Sequence, residues 1–482
     1  MIYLLKIRLL LLLSIFSVTI GCSTLHTKQC QKPWDNGRLV VSKNNRFLQH
    51  DNGEPFFWLG DTAWLLFGKL DRDEVQIYLE NRRRKGFNVI QAVALWSIPQ
   101  LNAYGDSALL EDDPSKPLTT PGNNPDNESE YDYWDHVDFV VENAAQKGIY
   151  IAMLPTWGSL VKGGRFTVEK AQTYAKWLAK RYKDKPNIIW IMGGDTTGDL
   201  KTEIWQALGT TLHEEDMNHL MTFHPFGRTQ SSTWFHNEDW LDFNMFQSGH
   251  QRYDQRRPDT DIATWKGEDN WKYVLEDYAK KPPKPTIDGE PSYENIPQGL
   301  IPKQPLWQAQ DARRYAYWAV FAGAFGHTYG NGVIMSMRKP DSRPNTFGVR
   351  GYWYDAINDP GGGQMQYLKK LILSRPFFER VYDPSLIIDN SERYDYVIAT
   401  RGKSYALIYT YTGREFGVSL GKITGEKINA YWFNPREGCS KFLGKFDNKG
   451  TKTFDPPGEK VDGNDWVLIL DDASKKFPIP VN

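Results

Sequence analysis

The chain has 482 residues, 40% hydrophobic and 24% charged, an ordinary globular composition that predicts one large domain and one smaller one. Its 58 basic and 59 acidic residues leave a formal net charge of −1, which excludes a dominant basic field of the kind that holds nucleic acid or an anionic membrane surface. Aromatic residues make up 14%, with 18 Trp and 25 Tyr, a generous supply of flat rings that can fill a large core or stack on sugar faces.

The N-terminus carries Lys6 and Arg8, then an apolar run over residues 9–20, then Gly21-Cys22-Ser23. A basic start, a short apolar core and a small-residue exit predict a secretory signal over residues 1–21, too short to span a membrane. The Gly21-Cys22 junction is similar to a bacterial lipobox, so Cys22 is the expected lipidation site and the lipid its only membrane contact. The expected location is the cell envelope, facing the periplasm, because no acidic run follows Cys22. Residues 22–36 are polar and aperiodic and are expected to form a tether. Cys30 and Cys439 are too far apart in sequence to suggest a bridge. No spacing typical of a zinc site occurs, so no metal and no cofactor is expected.

From residue 54 onward apolar runs alternate with amphipathic helices. Residues 55–59 predict a first strand, and Asp71-Arg72-Asp73-Glu74 has the cap and third-position acid of a helix start. Further strands are expected at residues 87–95, 149–155, 188–192, 220–224, 243–246, 285–287 and 327–329. Helices are expected between them, one with Tyr133, Val137, Val140, Val141 and Ala144 on a single face, another with Ala171, Tyr174, Ala175, Leu178 and Tyr182. Continuously apolar strands joined by helices indicate a parallel sheet covered on its outer face, and eight such units indicate a closed (β/α)₈ barrel over residues 37–385. Short strands at residues 394–400, 404–410, 415–419, 427–433 and 466–470, split by turn residues, predict a small antiparallel β-sandwich over residues 386–482 that packs on the barrel.

Barrel enzymes gather reactive groups where strands end. The first strand leads into Asp61-Thr62-Ala63-Trp64, the second ends at Trp96, the third at Trp157, the fourth at Gly193-Gly194-Asp195 and the fifth at His224. The seventh leads into Asp288-Gly289-Glu290 and the eighth holds His327 and Tyr329. Glycosidic bond cleavage needs one carboxyl to protonate the leaving oxygen and another across the anomeric carbon. Strands four and seven lie roughly opposite in an eight-stranded barrel, so Asp195 and Glu290 are the expected catalytic pair. Asp61 and Tyr329 are expected to bind substrate and His224 and His327 to bind substrate or orient a carboxylate, with Trp64, Trp96 and Trp157 as sugar platforms. Two rival readings are a metal-dependent hydrolase using Asp61, His224, Asp195 and His327, and a non-catalytic glycan-binding barrel.

The segments 57–64, 191–195 and 288–291 resemble those of the exported bacterial barrels of glycoside hydrolase family 140. The tail, through residues 405–410, 432–436 and 465–468, resembles the β-domain that accompanies them, sometimes labelled a collagen-binding domain. Nothing in the tail offers a long groove for a triple helix, so an intramolecular brace is its expected role. The resemblance implies an apiosidase acting on side chains of the pectic polysaccharide rhamnogalacturonan II, with Asp195 as acid/base, Glu290 as nucleophile and retention of configuration. The alternative is a glycosidase acting on another pectic or plant glycan. The wider retaining clan usually has Asn-Glu at the end of strand four, where this chain has Gly194-Asp195. The shorter side chain widens the expected carboxyl gap beyond the ~5.5 Å typical of retention.

Overall fold

The computed structural model describes residues 32–255, 267–343 and 347–479. The expected signal segment, Cys22 and Cys30 lie outside the described residues. Eight parallel strands form the core of the larger domain: β1 (Trp58–Thr62), β2 (Val89–Leu95), β3 (Tyr150–Thr156), β4 (Ile188–Thr196), β5 (Met221–Pro225), β6 (Asn244–Gln247), β7 (Thr286–Asp288) and β8 (Gly326–Tyr329). Hydrogen-bonded ladders run in the order β8-β1-β2-β3-β4-β5, and β6 pairs with β7. Sparser bonds close the two remaining seams, among them Asp242 N–H to the Met221 carbonyl (2.9 Å) and Thr222 Oγ1 to the Phe243 carbonyl (2.6 Å) at one, and Phe325 N–H to the Thr286 carbonyl (3.2 Å) at the other. The sheet is therefore a closed (β/α)₈ barrel.

Helices α1 (Arg72–Arg84), α2 (Tyr133–Gln146), α3 (Val168–Tyr182), α4 (Thr202–Glu215), α5 (Ser232–Phe235), α6 (Asn270–Ala279), α7 (Ala309–Ala322) and α8 (Pro360–Leu373) form the outer layer. Their starts follow from local chemistry. Asp71 accepts from the Glu74 N–H while the Glu74 side chain accepts from the Asp71 N–H, and Asp132 and Asp135 do the same for α2. Strands β2 and β3 are buried at every residue, as strands lined inside by the barrel core and outside by helices must be.

The chain joins the fold earlier than the expected tether boundary. Pro33–Asn36 form a 3₁₀ turn, and Trp34 packs edge-on against Tyr150 with ring centroids 5.6 Å apart. The expected first strand over residues 55–59 is two elements. Pro55–Phe56 completes a small antiparallel sheet with Leu39–Val41 and Leu48–His50, and the barrel ladder begins only at Trp58, opposite Gly326.

The smaller domain has two antiparallel sheets. One contains, in spatial order, β9 (Val381–Tyr382), β11 (Ile398–Arg401), β12 (Tyr405–Thr410), β17 (Trp466–Asp472), β14 (Lys427–Asn434) and β15 (Cys439–Asp447). The other contains β10 (Ile387–Ile388), β13 (Phe416–Ser419) and β16 (Thr451–Phe454). Val397, Ile408, Val418, Ile428, Trp432 and Leu468 belong to the core between them. Strands β15 and β16 were not expected from the sequence, because β15 is an edge strand carrying Lys441 and Lys445 and so lacks an apolar alternation.

The β-domain packs on the barrel through α6, α7 and the segment after α8. Tyr317 stacks on Tyr409 at 4.7 Å and Trp271 on Tyr396 at 4.5 Å. Arg313 grips Asp465 with two bonds of 2.8 Å, and Arg375 grips Asp471 at 2.9 and 2.7 Å. Removing one partner of a buried pair such as Arg313–Asp465 costs roughly 3–5 kcal/mol, so these pairs couple the two domains strongly.

Candidate active site

Asp195 owes its position to a distortion of β4. Gly193, Gly194 and Asp195 have φ of 91°, 101° and 49°, and the ladder with β5 shifts register between Gly193 and Thr196. The bulge turns a buried strand end outward and brings the Asp195 side chain to the surface of the barrel mouth. Only glycine fits before it. A Cβ on Gly193 would lie 2.3 Å from the His224 carbonyl oxygen, and one on Gly194 would lie 2.5 Å from the Trp157 ring.

Glu290 follows β7 and is 5% exposed. The loop before it is held by Gln91, whose Nε2 donates to the Gly289 carbonyl at 2.9 Å. His224 Nε2 lies 3.1 Å from Glu290 Oε2, and His250 Nε2 lies 3.0 Å from Oε1. The Tyr293 hydroxyl is a third partner of Glu290 and accepts from Trp64 Nε1 at 3.2 Å. Burial and the neighbouring Glu290 charge push the Tyr293 phenol well above its usual range, so it stays protonated and can donate.

The two carboxyls are driven apart in acidity. The surrounding walls of the mouth desolvate the accessible Asp195 carboxyl and raise it first, and repulsion from Glu290 adds to this, against His224, the Gln247 side chain and His250, giving a value of about 6. Burial would raise Glu290 as well, but contacts with His224 and His250 outweigh it and hold this carboxyl at about 2. One group is thus disposed to keep a proton and the other to lose it. Such a pair can supply a general acid and an anionic nucleophile or base to the same bond.

Of the other residues expected at the site, Trp64, Trp96, Trp157 and His224 gather beside the pair. Trp157 lies 4.5 Å from Trp96 and 5.2 Å from Trp64, and His224 meets the Trp64 ring edge-on at 5.3 Å. Trp96 is half-buried, whereas Trp64 and Trp157 are 1% and 7% exposed, so Trp96 offers the accessible ring. Asp61, His327 and Tyr329 do not join the mouth, which corrects their expected substrate-binding role. The Asp61 carboxylate is 2.6 Å from Arg82 Nε and accepts from the Tyr78 hydroxyl at 2.6 Å, both on α1 behind the strand. Tyr329 sits opposite Asp61 in the β1–β8 register and donates to Glu294. His327, two places before Tyr329, shares that helix-facing side and is fully buried, which lowers it to about 3. Asp61, His224, Asp195 and His327 therefore do not converge on one point as the metal-hydrolase reading requires.

A model of the apiosidase-like catalytic domain matches residues 42–379. The chain belongs to the apiosidase-like family. A second model, named for the collagen-binding domain of a collagenase, matches residues 381–471. A solved structure described as a glycoside hydrolase is 51% identical, covering 93% of this chain and 100% of its own length, with a TM-score of 0.88. A crystal structure described as a glycoside hydrolase family 5 protein from Bacteroides vulgatus ATCC 8482 is 47% identical, covering 94% and 98%, with a TM-score of 0.89. No curated protein matches the chain. The apiosidase-like chain is a glycoside hydrolase, and its substrate is a carbohydrate.

Three side chains of this apiosidase-like site were not singled out in the sequence. His250 follows the end of β6 and Gln247 ends it, so the strand-end rule reaches both once β6 is included. Tyr293 stands in a loop beyond Glu290 without any local pattern to mark it.

Proposed function

We propose that the enzyme hydrolyses apiosyl linkages in side chains of rhamnogalacturonan II, with Asp195 as acid/base and Glu290 as nucleophile. Membership of the apiosidase-like family supports the sugar. The opposite displacement of the two carboxyls, Asp195 up to about 6 and Glu290 down to about 2, carries the mechanism. Glu290 attacks the anomeric carbon while Asp195 protonates the departing oxygen. Asp195 then takes a proton from water, and the water's oxygen displaces Glu290.

Incubation with rhamnogalacturonan II should free apiosyl termini, and proton NMR of the nascent product before mutarotation should show the substrate's anomeric configuration. An absence of new apiosyl ends with intact enzyme would sink the substrate assignment, and an inverted first product would sink the double-displacement mechanism. The pH dependence follows in sign from the same pair. Because catalysis needs Glu290 ionised and Asp195 protonated, kcat/KM should fall tenfold per unit above about pH 6 and hold below it toward the Glu290 value of about 2. A profile rising through pH 6 to 8 would contradict the assignment of the acid.

The location proposed for the enzyme is the periplasmic side of the envelope, with an acylated Cys22 as anchor. The Gly21-Cys22 junction after the apolar run supports this reading. Mass spectrometry of the membrane-extracted protein should find Cys22 as the modified first residue. Degradation by protease added to intact cells would contradict the periplasmic orientation.

A further inference from the structure

A cavity of about 310 Å³ lies where the β-domain meets the loops of the barrel mouth. Arg252 and Trp307 line it from the loops after β6 and β7, Gln310 from the first turn of α7, and Tyr394, Tyr411 and Asp462 from the β-domain. The same loops build the catalytic site. Arg252 stands just beyond His250, and the Trp307 indole donates to the His250 carbonyl at 3.1 Å. The cavity therefore borders the same loops that carry His250 and Glu290, on the side of the mouth that faces the β-domain.

Its lining suits a glycan. Tyr394 is partly buried and Tyr411 buried, their ring centroids 5.7 Å apart and the Arg314 guanidinium over both, so recognition falls to Gln310, Asp462 and Arg252, which provide amide, carboxylate and guanidinium groups for hydroxyls. The charges favour neutral sugars over uronates. Arg252 is already matched by Asp254 at 3.1 Å and Asp311 by Arg314 at 3.5 Å, while Asp462 adds an exposed negative group.

We propose that this cavity is a distal subsite for neutral sugar residues of the glycan cut in the mouth, so that the β-domain forms part of the substrate-binding surface. The proposal rests on glycan cleavage in the mouth and not on the apiosyl assignment. It also gives the buried Arg313–Asp465 clamp a purpose, since a subsite shared between domains works only if they are held in one geometry.

The test uses the full-length enzyme with the double substitution Gln310→Ala and Asp462→Ala, both remote from the acids. Kinetics are compared on intact side-chain oligosaccharides of rhamnogalacturonan II and on the shortest oligosaccharide the wild type cleaves. Loss of about two hydrogen bonds should raise KM for the long substrate about 5- to 10-fold, with kcat and all short-substrate kinetics unchanged. A change in the long-substrate KM of less than twofold overturns the proposal. Equal losses on both substrates overturn it too, because they report a structural role. If the wild type spares rhamnogalacturonan II but cuts another pectic oligosaccharide, the apiosyl assignment fails and the same long-to-short comparison is made on that glycan.

Discussion

An Asp195→Ala variant should lose roughly 10³-fold in kcat/KM on natural linkages, whose sugar leaving groups cannot depart without a proton. An activated aryl glycoside, where the enzyme accepts one, needs little protonation and should keep a rate within about tenfold of wild type for the first step. The glycosyl-enzyme on Glu290 then waits for water that no base activates, and added azide, needing no base, should restore turnover as a glycosyl azide of retained configuration. The expectation follows from the fold. The bulge at Gly193-Gly194 carries Asp195 into the mouth, and desolvation with repulsion from Glu290 raises it to about 6, the property an acid needs near neutral pH. Equal losses on both substrate types, with no azide rescue, would show that Asp195 is not the proton donor.

A Glu290→Gln variant should lose on the order of 10⁴-fold or more on both substrate types, because neither leaving group removes the need for a nucleophile. The substitution keeps shape but removes the negative charge that helps raise Asp195. Titration of Asp195, followed by carbon NMR of labelled aspartate or by infrared difference spectra, should therefore move below the wild-type value of about 6. The two readouts separate roles. Substantial activity on the aryl glycoside would remove Glu290 from the nucleophile's place, and an unmoved Asp195 titration would mean that the carboxyls do not sense each other.

Much of this architecture is legible in the sequence. Capping acids such as Asp71 and Glu74 mark helix starts through bonds only a few residues long, and apolar runs such as residues 149–155 mark strands buried on both faces. Asp195 and Glu290 were legible because a parallel barrel places strand ends on one rim, whatever else the chain does. Strands β15 and β16 were not, since a solvated edge has no apolar signature.

What the sequence by itself determined is the alternation of strands and helices, the barrel it closes into and the two acids at its mouth. Which way each strand-end side chain faces was decided only by tertiary structure. Strands buried on both sides carry no polar-out alternation, so Asp61 could not be told from a mouth residue until β1 took its register beside β8 and turned it onto Arg82. The partners of Glu290 were decided in the same way. His224, His250 and Tyr293 come from separate loops and strand ends, and only closure of the barrel brings them to one carboxylate and sets its charge.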